Sequence, residues 1–427
     1  MTLPMILALA VLVIMIVLIM VDALPFGAPP LLACLLLVVV GISTVPEAFA
    51  GFTNSSVLMI AFFMVPLAAL QKTRLIGRVK TTMGELVEKG GYKSYALLLV
   101  VVMLGASLAG TGATGYYVLI LALVATIPYE KKLPTSKLMM PLGFATNHPL
   151  VPINVALIYG VMVTVLEASG YRETVSMVTF SLVNFIMGMG YLAWALVAYR
   201  LLPDHPIAEP AVEQVALRDA EGVHLPAWKE YLTVAMFIVS VIAMMLMNVL
   251  GNLAYVVPGL CAFVLLFIHM VDFKEFRENL FAPVILMMAG VIGVADALAK
   301  SGLTALVGNG VAGLVGSTVP PFVLVLVFAL LTSTAATFTG SNLGSVAIFA
   351  PIAIATFTSL GLNPVAAACA VAVAGWNGGY MPIDGLPALI FGMGKYELTE
   401  FWKFTIPMYF IRILTLCAAS VLLFPMS

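Results

Sequence analysis

Residues 147–160 read Asn147-His148-Pro149-Leu150-Val151-Pro152-Ile153-Asn154-Val155-Ala156-Leu157-Ile158-Tyr159-Gly160. Residues 377–392 read Asn377-Gly378-Gly379-Tyr380-Met381-Pro382-Ile383-Asp384-Gly385-Leu386-Pro387-Ala388-Leu389-Ile390-Phe391-Gly392. In each stretch an Asn precedes, by four positions, an apolar-Pro-Ile core that ends in Asn154 or Asp384, and each closes on Ala-Leu-Ile-aromatic-Gly. A second echo lies upstream of each: Ala69-Leu70-Gln71-Lys72-Thr73-Arg74-Leu75 against Ala297-Leu298-Ala299-Lys300-Ser301-Gly302-Leu303. Two echoes in one order, at nearly one offset, mark a duplicated chain.

The medium of the duplicated unit follows from composition. Hydrophobic residues make up 63% of the 427 and charged ones 9%, where a soluble domain carries roughly 25% charged residues. The mean hydropathy is +1.14. This is the composition of an all-α, polytopic membrane protein. At about 20 apolar residues per spanning helix, the length holds about ten to twelve hydrophobic segments. A net charge of -1 offers no basic surface to nucleic acid. Cys34, Cys261, Cys369 and Cys417 lie in apolar runs without CxxC spacing, which reads as buried thiols rather than ligands or disulfides. The apolar run near Met1 lacks a basic flank and reads as a first span, not a cleaved leader.

Taken in order, residues 1–202 form one repeat and 230–427 the other, joined by a hydrophilic linker at 203–229. The first repeat has scaffold helices within 1–71, an interfacial amphipathic helix at 72–93, and a polar-centred segment at 94–128. A Pro-interrupted span at 138–166 and a plain span at 175–202 complete it. The second repeats the plan, with its polar-centred segment at 320–359 and its interrupted span at 364–394. Five spans per half force the second half to enter the membrane from the opposite side. The positive-inside rule agrees, since Lys72, Arg74, Lys131, Lys132 and the linker then share the cytoplasmic side. Inverted repeats of this kind are a signature of secondary transporters.

Lipid cannot satisfy backbone polar groups, so helices break at membrane depth only where they line a cavity. Pro149, Pro152, Pro382 and Pro387 each remove a helical donor and free a carbonyl. Freed carbonyls at the two breaks, at Gly340, and the side chains of Asn147, Asn154, Asn377 and Asp384 suit a small hard cation such as sodium. A carboxylate at mid-membrane costs roughly 2.5–3.5 kcal/mol on insertion scales, so Asp384 is a cation ligand or a proton site, with a half-helix cap as the plain alternative. Pro152, Pro382 and His148 are gating candidates, and a hydrogen-bonded structural histidine is the plain alternative for the last. Asp296 reads as an interfacial partner of Lys300.

The polar centres Gly110-Thr111-Gly112-Ala113-Thr114 and Thr339-Gly340-Ser341-Asn342 each precede an apolar arm. As turns of re-entrant hairpins they present helix N-termini, whose N–H donors and positive dipole end attract anions. Gly110, Thr111, Gly112, Thr114, Thr339, Ser341 and Asn342 are therefore the candidate substrate site. The apolar arms beside Thr111 are only about 15 residues long, under the usual 17–25 of a span, which favours a hairpin. No HExxH, GxSxG or phosphate loop is present, which argues against an enzyme.

From Pro46 to Pro425 the chain resembles the divalent anion:sodium symporter family of the ion-transporter superfamily. The carriers are Gly51-Phe52-Thr53-Asn54, the 69–73 run, Ser341-Asn342-Leu343 into Ala350-Pro351, and the Pro382-to-Gly394 segment into Gly394-Lys395-Tyr396 and Phe401-Trp402-Lys403. The resemblance implies an elevator-type transporter, usually a homodimer, whose two opposed hairpin tips hold substrate carboxylates with sodium between tips and broken helices. It also exposes departures from the family's Ser-Asn-Thr tips and Pro-Pro-Asn breaks. Leu343 replaces a tip threonine, the first tip has only Gly110-Thr111-Gly112-Ala113-Thr114, the first break reads Pro152-Ile153-Asn154, and the second has lost its Asn and gained Asp384. A smaller or singly charged anion fits these losses. The expectation is a sodium-coupled symporter of small di- or monocarboxylates or similar anions in an inner or plasma membrane. A proton-coupled carrier or exchanger using Asp384 is the alternative, and a membrane enzyme or channel the remote one.

Overall fold

A computed structural model describes residues 1–20, 24–25, 27–74, 82–83, 85–87, 89–110, 113–125, 133–152, 154–207, 226–303, 306, 309–310, 313, 319–382 and 385–426. Those residues are helices and short connections, with no strand among them. The first half holds α1 (Leu3–Met20), α2 (Ala28–Val39), α3 (Ser55–Gln71), α4 (Gly91–Ala109), α5 (Thr114–Ala125), α6 (Ser136–Ala145), α7 (Ala156–Ala168) and α8 (Met177–Ala198). The second holds α9 (Ala227–Met245), α10 (Asn252–Phe267), α11 (Phe273–Leu280), α12 (Pro283–Ser301), α13 (Pro321–Thr339) and α14 (Asn342–Ser359). It ends with α15 (Val365–Ala374), α16 (Gly385–Gly394) and α17 (Leu398–Leu423). Seven of the described helices are long and apolar enough to cross a bilayer. The four cysteines are buried free thiols.

Both proline-bearing segments are interrupted. Helix stops at Ala145 and resumes at Ala156 around Pro149 and Pro152, and stops at Ala374 and resumes at Gly385 around Pro382. The pieces then cross over: α6 packs on α16, and α15 packs on α7. First piece against second piece is the pairing of antiparallel neighbours, whereas parallel copies would join like with like. The hairpins obey the same rule, with α4 and α5 on α6, and α13 and α14 on α15. Helices α8 and α17 run along each other and close this body. Around α3 and α12 gather α1, α2, α9, α10 and α11, which form a second group.

Ion pairs fix the relative orientation of the halves independently. Across the halves, Lys72 Nζ lies 2.6 Å from Glu275 Oε1 and Arg74 Nε 3.1 Å from Glu230 Oε1. At the other face Lys300 Nζ lies 2.7 Å from Glu47 Oε1. Asn54, the N-cap of α3, accepts from Val57 N and donates to Glu167 Oε2 at 2.7 Å. If the halves were parallel, Lys72 and Glu275 would sit on opposite sides of a hydrocarbon layer about 30 Å thick. Only inverted halves bring them together.

Three expectations need qualification. Lys300 pairs with Glu47 rather than serving only Asp296 one turn earlier, because the short helix Val45–Ala48 brings a carboxylate to the end of α12. The first arm of the first hairpin is 19 residues long, since the polar start Gly91-Tyr92-Lys93 is helical and adds a turn to the apolar part. Of the interfacial helix expected over 72–93, residues 75–81, 84 and 88 lie outside the described residues, as does 208–225 of the linker.

Glu47 lies outside the spans, and the bond donated by Lys300, then the Thr44 amide, lowers its carboxyl from the ordinary 4.5 to about 2. A depressed acid contributes stability that is complete above its unfolded pKa and fades as pH falls through the folded one. Glu47→Gln is therefore expected to lower the melting temperature slightly at pH 7, the pair being exposed, with the difference from the native protein vanishing near pH 2. A constant difference across that range would contradict the assignment.

Candidate functional site

The second hairpin turns at Gly340, whose φ of +67° caps α13 in a left-handed conformation that only glycine adopts freely. Ser341 caps α14: its Oγ accepts from Gly344 N at 3.2 Å. Thr339 Oγ1 accepts from Ser341 N at 3.2 Å and donates to Ala335 O at 2.7 Å. Both hydroxyls thus help to hold the turn. Asn342, the first residue of α14, borders two cavities. One, of about 460 Å³, lies between the 339–343 tip with Trp376 and the second group's Leu24, Pro29, Pro30 and Met287. The other, of about 160 Å³, runs inward past Asn147, Thr337, Gly378, Pro387 and Arg412. The N-terminal end of α14 therefore opens on a space that is half walled by each group.

The first tip meets the first break. Gly110, φ +92°, ends α4, and a Cβ there would stand 3.0 Å from Asn154 Nδ2. Asn154 is buried and donates that nitrogen to Leu108 O at 3.0 Å. Its amide oxygen therefore lies on the side away from Leu108. The break is pinned to α4 by Leu150 N on Met103 O (3.0 Å) and Val151 N on Ser107 Oγ (2.9 Å). Thr111 and Gly112 fall outside the described residues, and of Thr114 only its backbone place at the start of α5 is described.

His148 is enclosed. Its Nδ1 is 2.8 Å from Phe144 O, its ring stacks on Tyr191 with centroids 4.0 Å apart, and its Nε2 is buried with no hydrogen-bond partner among the described residues. It borders neither cavity above. Pro152 and Pro382 sit in the non-helical breaks, half-buried, while Asp384 lies outside the described residues.

The second break holds a charge that motif reading passes over. Arg412, in the 26-residue apolar helix α17, is 1% exposed. Its Nη2 donates to the side-chain oxygen of Asn377 and, at 3.2 Å, to Trp376 O; its Nη1 reaches Gly378 O at 3.5 Å. The amide nitrogen of Asn377 faces Met187 Sδ at 2.8 Å. The sequence signal for Arg412 was a lone arginine within the 405–424 span, and an ionisable residue there marks function by default.

Oxygen donors are the right chemistry for a hard cation. In the first half Asn154 offers one such oxygen, turned away from Leu108 while its amide nitrogen is the atom nearest Gly110, and Asn147 lines the inner cavity. The second-half set does not fit in the same way, because a guanidinium already sits on its oxygens.

With two broken helices crossed between two hairpins, the chain matches the citrate transporter family, CitMHS, over residues 10–374. The chain belongs to that family. The resemblance to the divalent anion:sodium symporters read from the sequence agrees with this placement. Among curated proteins it is 27% identical over 217 residues to an uncharacterized transporter of Synechocystis sp., sll0640, covering 49% of this chain and 33% of that one. It is 28% identical over 157 residues to the uncharacterized transporter YfbS of Escherichia coli K12, covering 36% and 25%. The chain thus aligns with about a third or less of the length of these relatives. Among solved structures, the Alcanivorax borkumensis YdaH transporter superposes with a TM-score of 0.61 at 16% identity, over 88% of this chain and 86% of that one. Neisseria gonorrhoeae MtrF, described as one of a class of antimetabolite efflux pumps, gives 0.58 at 12% identity, over 90% and 84%. At such identities the superpositions speak for the citrate transporter family member's fold. The family and both neighbours are transporters or pumps rather than enzymes.

Proposed function

We propose that the protein is a secondary transporter of small organic anions, driven by sodium across a plasma or inner membrane. The observation that carries this is the end of α14, where Asn342 and the helix N-terminus face a cavity of about 460 Å³. A carboxylate there gains the helix dipole and charge-assisted hydrogen bonds. The volume lies in the ordinary range for small-molecule sites, about 300–1,000 Å³. The family's citrate names the substrate class, and the reduced first tip points within it to anions needing one firm carboxylate grip. Sodium is assigned to the first half, at the Asn154 side-chain oxygen on its side away from Leu108.

Alternating access follows from the two groups. The hairpins, broken helices, α8 and α17 form the moving body, and α1–α3 with α9–α12 the support. Substrate held at the seam would travel with the body.

Proteoliposomes given an inward sodium gradient are expected to accumulate one or more of citrate, dicarboxylates and monocarboxylates, with saturation and counterflow. Replacing sodium by choline should cut initial uptake at least about tenfold, as a 1.4 kcal/mol coupling requires. Uptake that ignores sodium but follows a proton gradient would move the coupling role to protons.

A further inference from the structure

We propose that Arg412 is a tethered cation occupying the second-half ion site, so that a single free sodium ion, bound in the first half, couples transport. This rests on the sodium-coupled reading above and narrows it.

The ligand shell is the first ground. Arg412 makes no ion pair with any carboxylate among the described residues, although it is 1% exposed in an apolar helix. It is held instead by the Asn377 side-chain oxygen and by two main-chain carbonyls, Trp376 O and Gly378 O. Three neutral oxygens from three successive residues of an interrupted helix are what a bare hard cation would take. A guanidinium satisfies the same oxygens with N–H donors in a fixed fork. Two cations cannot share those acceptors at such range, since like charges at contact distance repel strongly away from bulk water.

The repeat supplies the second ground. Arg412 stands fourteen residues after the first residue of α17, and Tyr191 fourteen after the first of α8. Each faces its own half's break: Arg412 the carbonyls at 376–378, Tyr191 the ring of His148 and the Pro141 carbonyl. Equivalent positions thus carry a permanent charge in one half and a neutral phenol in the other. The duplicated ion site has a built-in occupant on one side only.

The test uses purified full-length protein in detergent, its melting temperature titrated with sodium against choline and potassium at constant ionic strength. The native protein should show a sodium response with a Hill coefficient of about 1. Arg412→Ala should melt lower in choline, recover selectively in sodium with a coefficient rising to about 2, and recover also in millimolar guanidinium. Arg412→Lys, which keeps a charge without the fork, should stay sodium-poor in its response, near the native curve. An Arg412→Ala protein restored equally by all three salts would mean a structural brace and overturn the proposal. So would a coefficient of about 2 in the native protein, which can be read even if the variant does not fold. Weaker stabilisation by carboxylates without any gain toward sodium would make Arg412 an anion contact and overturn it as well. A native protein indifferent to sodium removes the first-half site and the function proposed above, whereas the gain in Arg412→Ala is judged on the difference between variant and native curves.

Discussion

Asn342→Ala is expected to raise the half-saturating substrate concentration about 10- to 150-fold while leaving the protein folded. The range is that of one lost hydrogen bond to a charged group, about 1.5–3 kcal/mol, at tenfold per 1.4 kcal/mol. Asn342 borders both cavities. The tip does not depend on it for shape, because Ser341 caps α14 and Thr339 secures the turn. Alanine is moreover a better helix former than asparagine. Concentration-dependent uptake into proteoliposomes reads the effect, with melting temperature as the folding control. An unaltered half-saturation would remove Asn342 from the substrate site.

Gly293→Ala is expected to cost more, and in folding rather than binding. A Cβ at Gly293 would lie 1.8 Å from Ala48 O, and one at Gly51 would lie 2.0 Å from Ala289 O. A Cβ at Gly290 would lie 2.7 Å from that of Pro30. Helix α12 therefore meets α2 and the 45–53 turns almost backbone to backbone, the close approach that small residues permit in membranes. Backbone cannot swing aside like a side chain. The penalty belongs at or beyond the upper end of the usual overpacking range of about 1–3 kcal/mol. Gly392→Ala is the control: it lies in helix α16 with nothing within 4 Å of the added atom, so it should be neutral or slightly stabilising. Thermal unfolding in detergent compares the two. Equal behaviour would refute the seam.

Much of this architecture could be read from residue order. The prolines at 149, 152 and 382 fell where helix stops, because a missing N–H and a ring clash act locally wherever the chain goes. The tip at 339–342 was legible for the same reason, since glycine and hydroxyl residues declare a turn. What pairs through space was not legible. Lys72 with Glu275, Lys300 with Glu47 and Asn377 with Arg412 are separated by 203, 253 and 35 residues, and no periodicity encodes such partners. Asn377 shows the cost of that blindness. Its amide oxygen was read as an ion ligand from its position alone, and the charge it meets comes from a helix whose apolar run hid one arginine. Thr339 and Ser341 teach a smaller lesson: a hydroxyl at a tip caps helices before it grips anything else.

The crossed packing of α6 on α16 and α15 on α7, with Tyr396 donating to Ser136 O and accepting from Met140 N at 3.2 Å, has an ancestral consequence. Neither repeat completes its own interrupted helix; each leans on a copy running the other way. A forerunner encoding one repeat would have had to insert into the bilayer in both orientations, half its copies upside down, to build the same joint. With both orientations carried by one polypeptide, equivalent positions such as Arg412 and Tyr191 can differ between the halves.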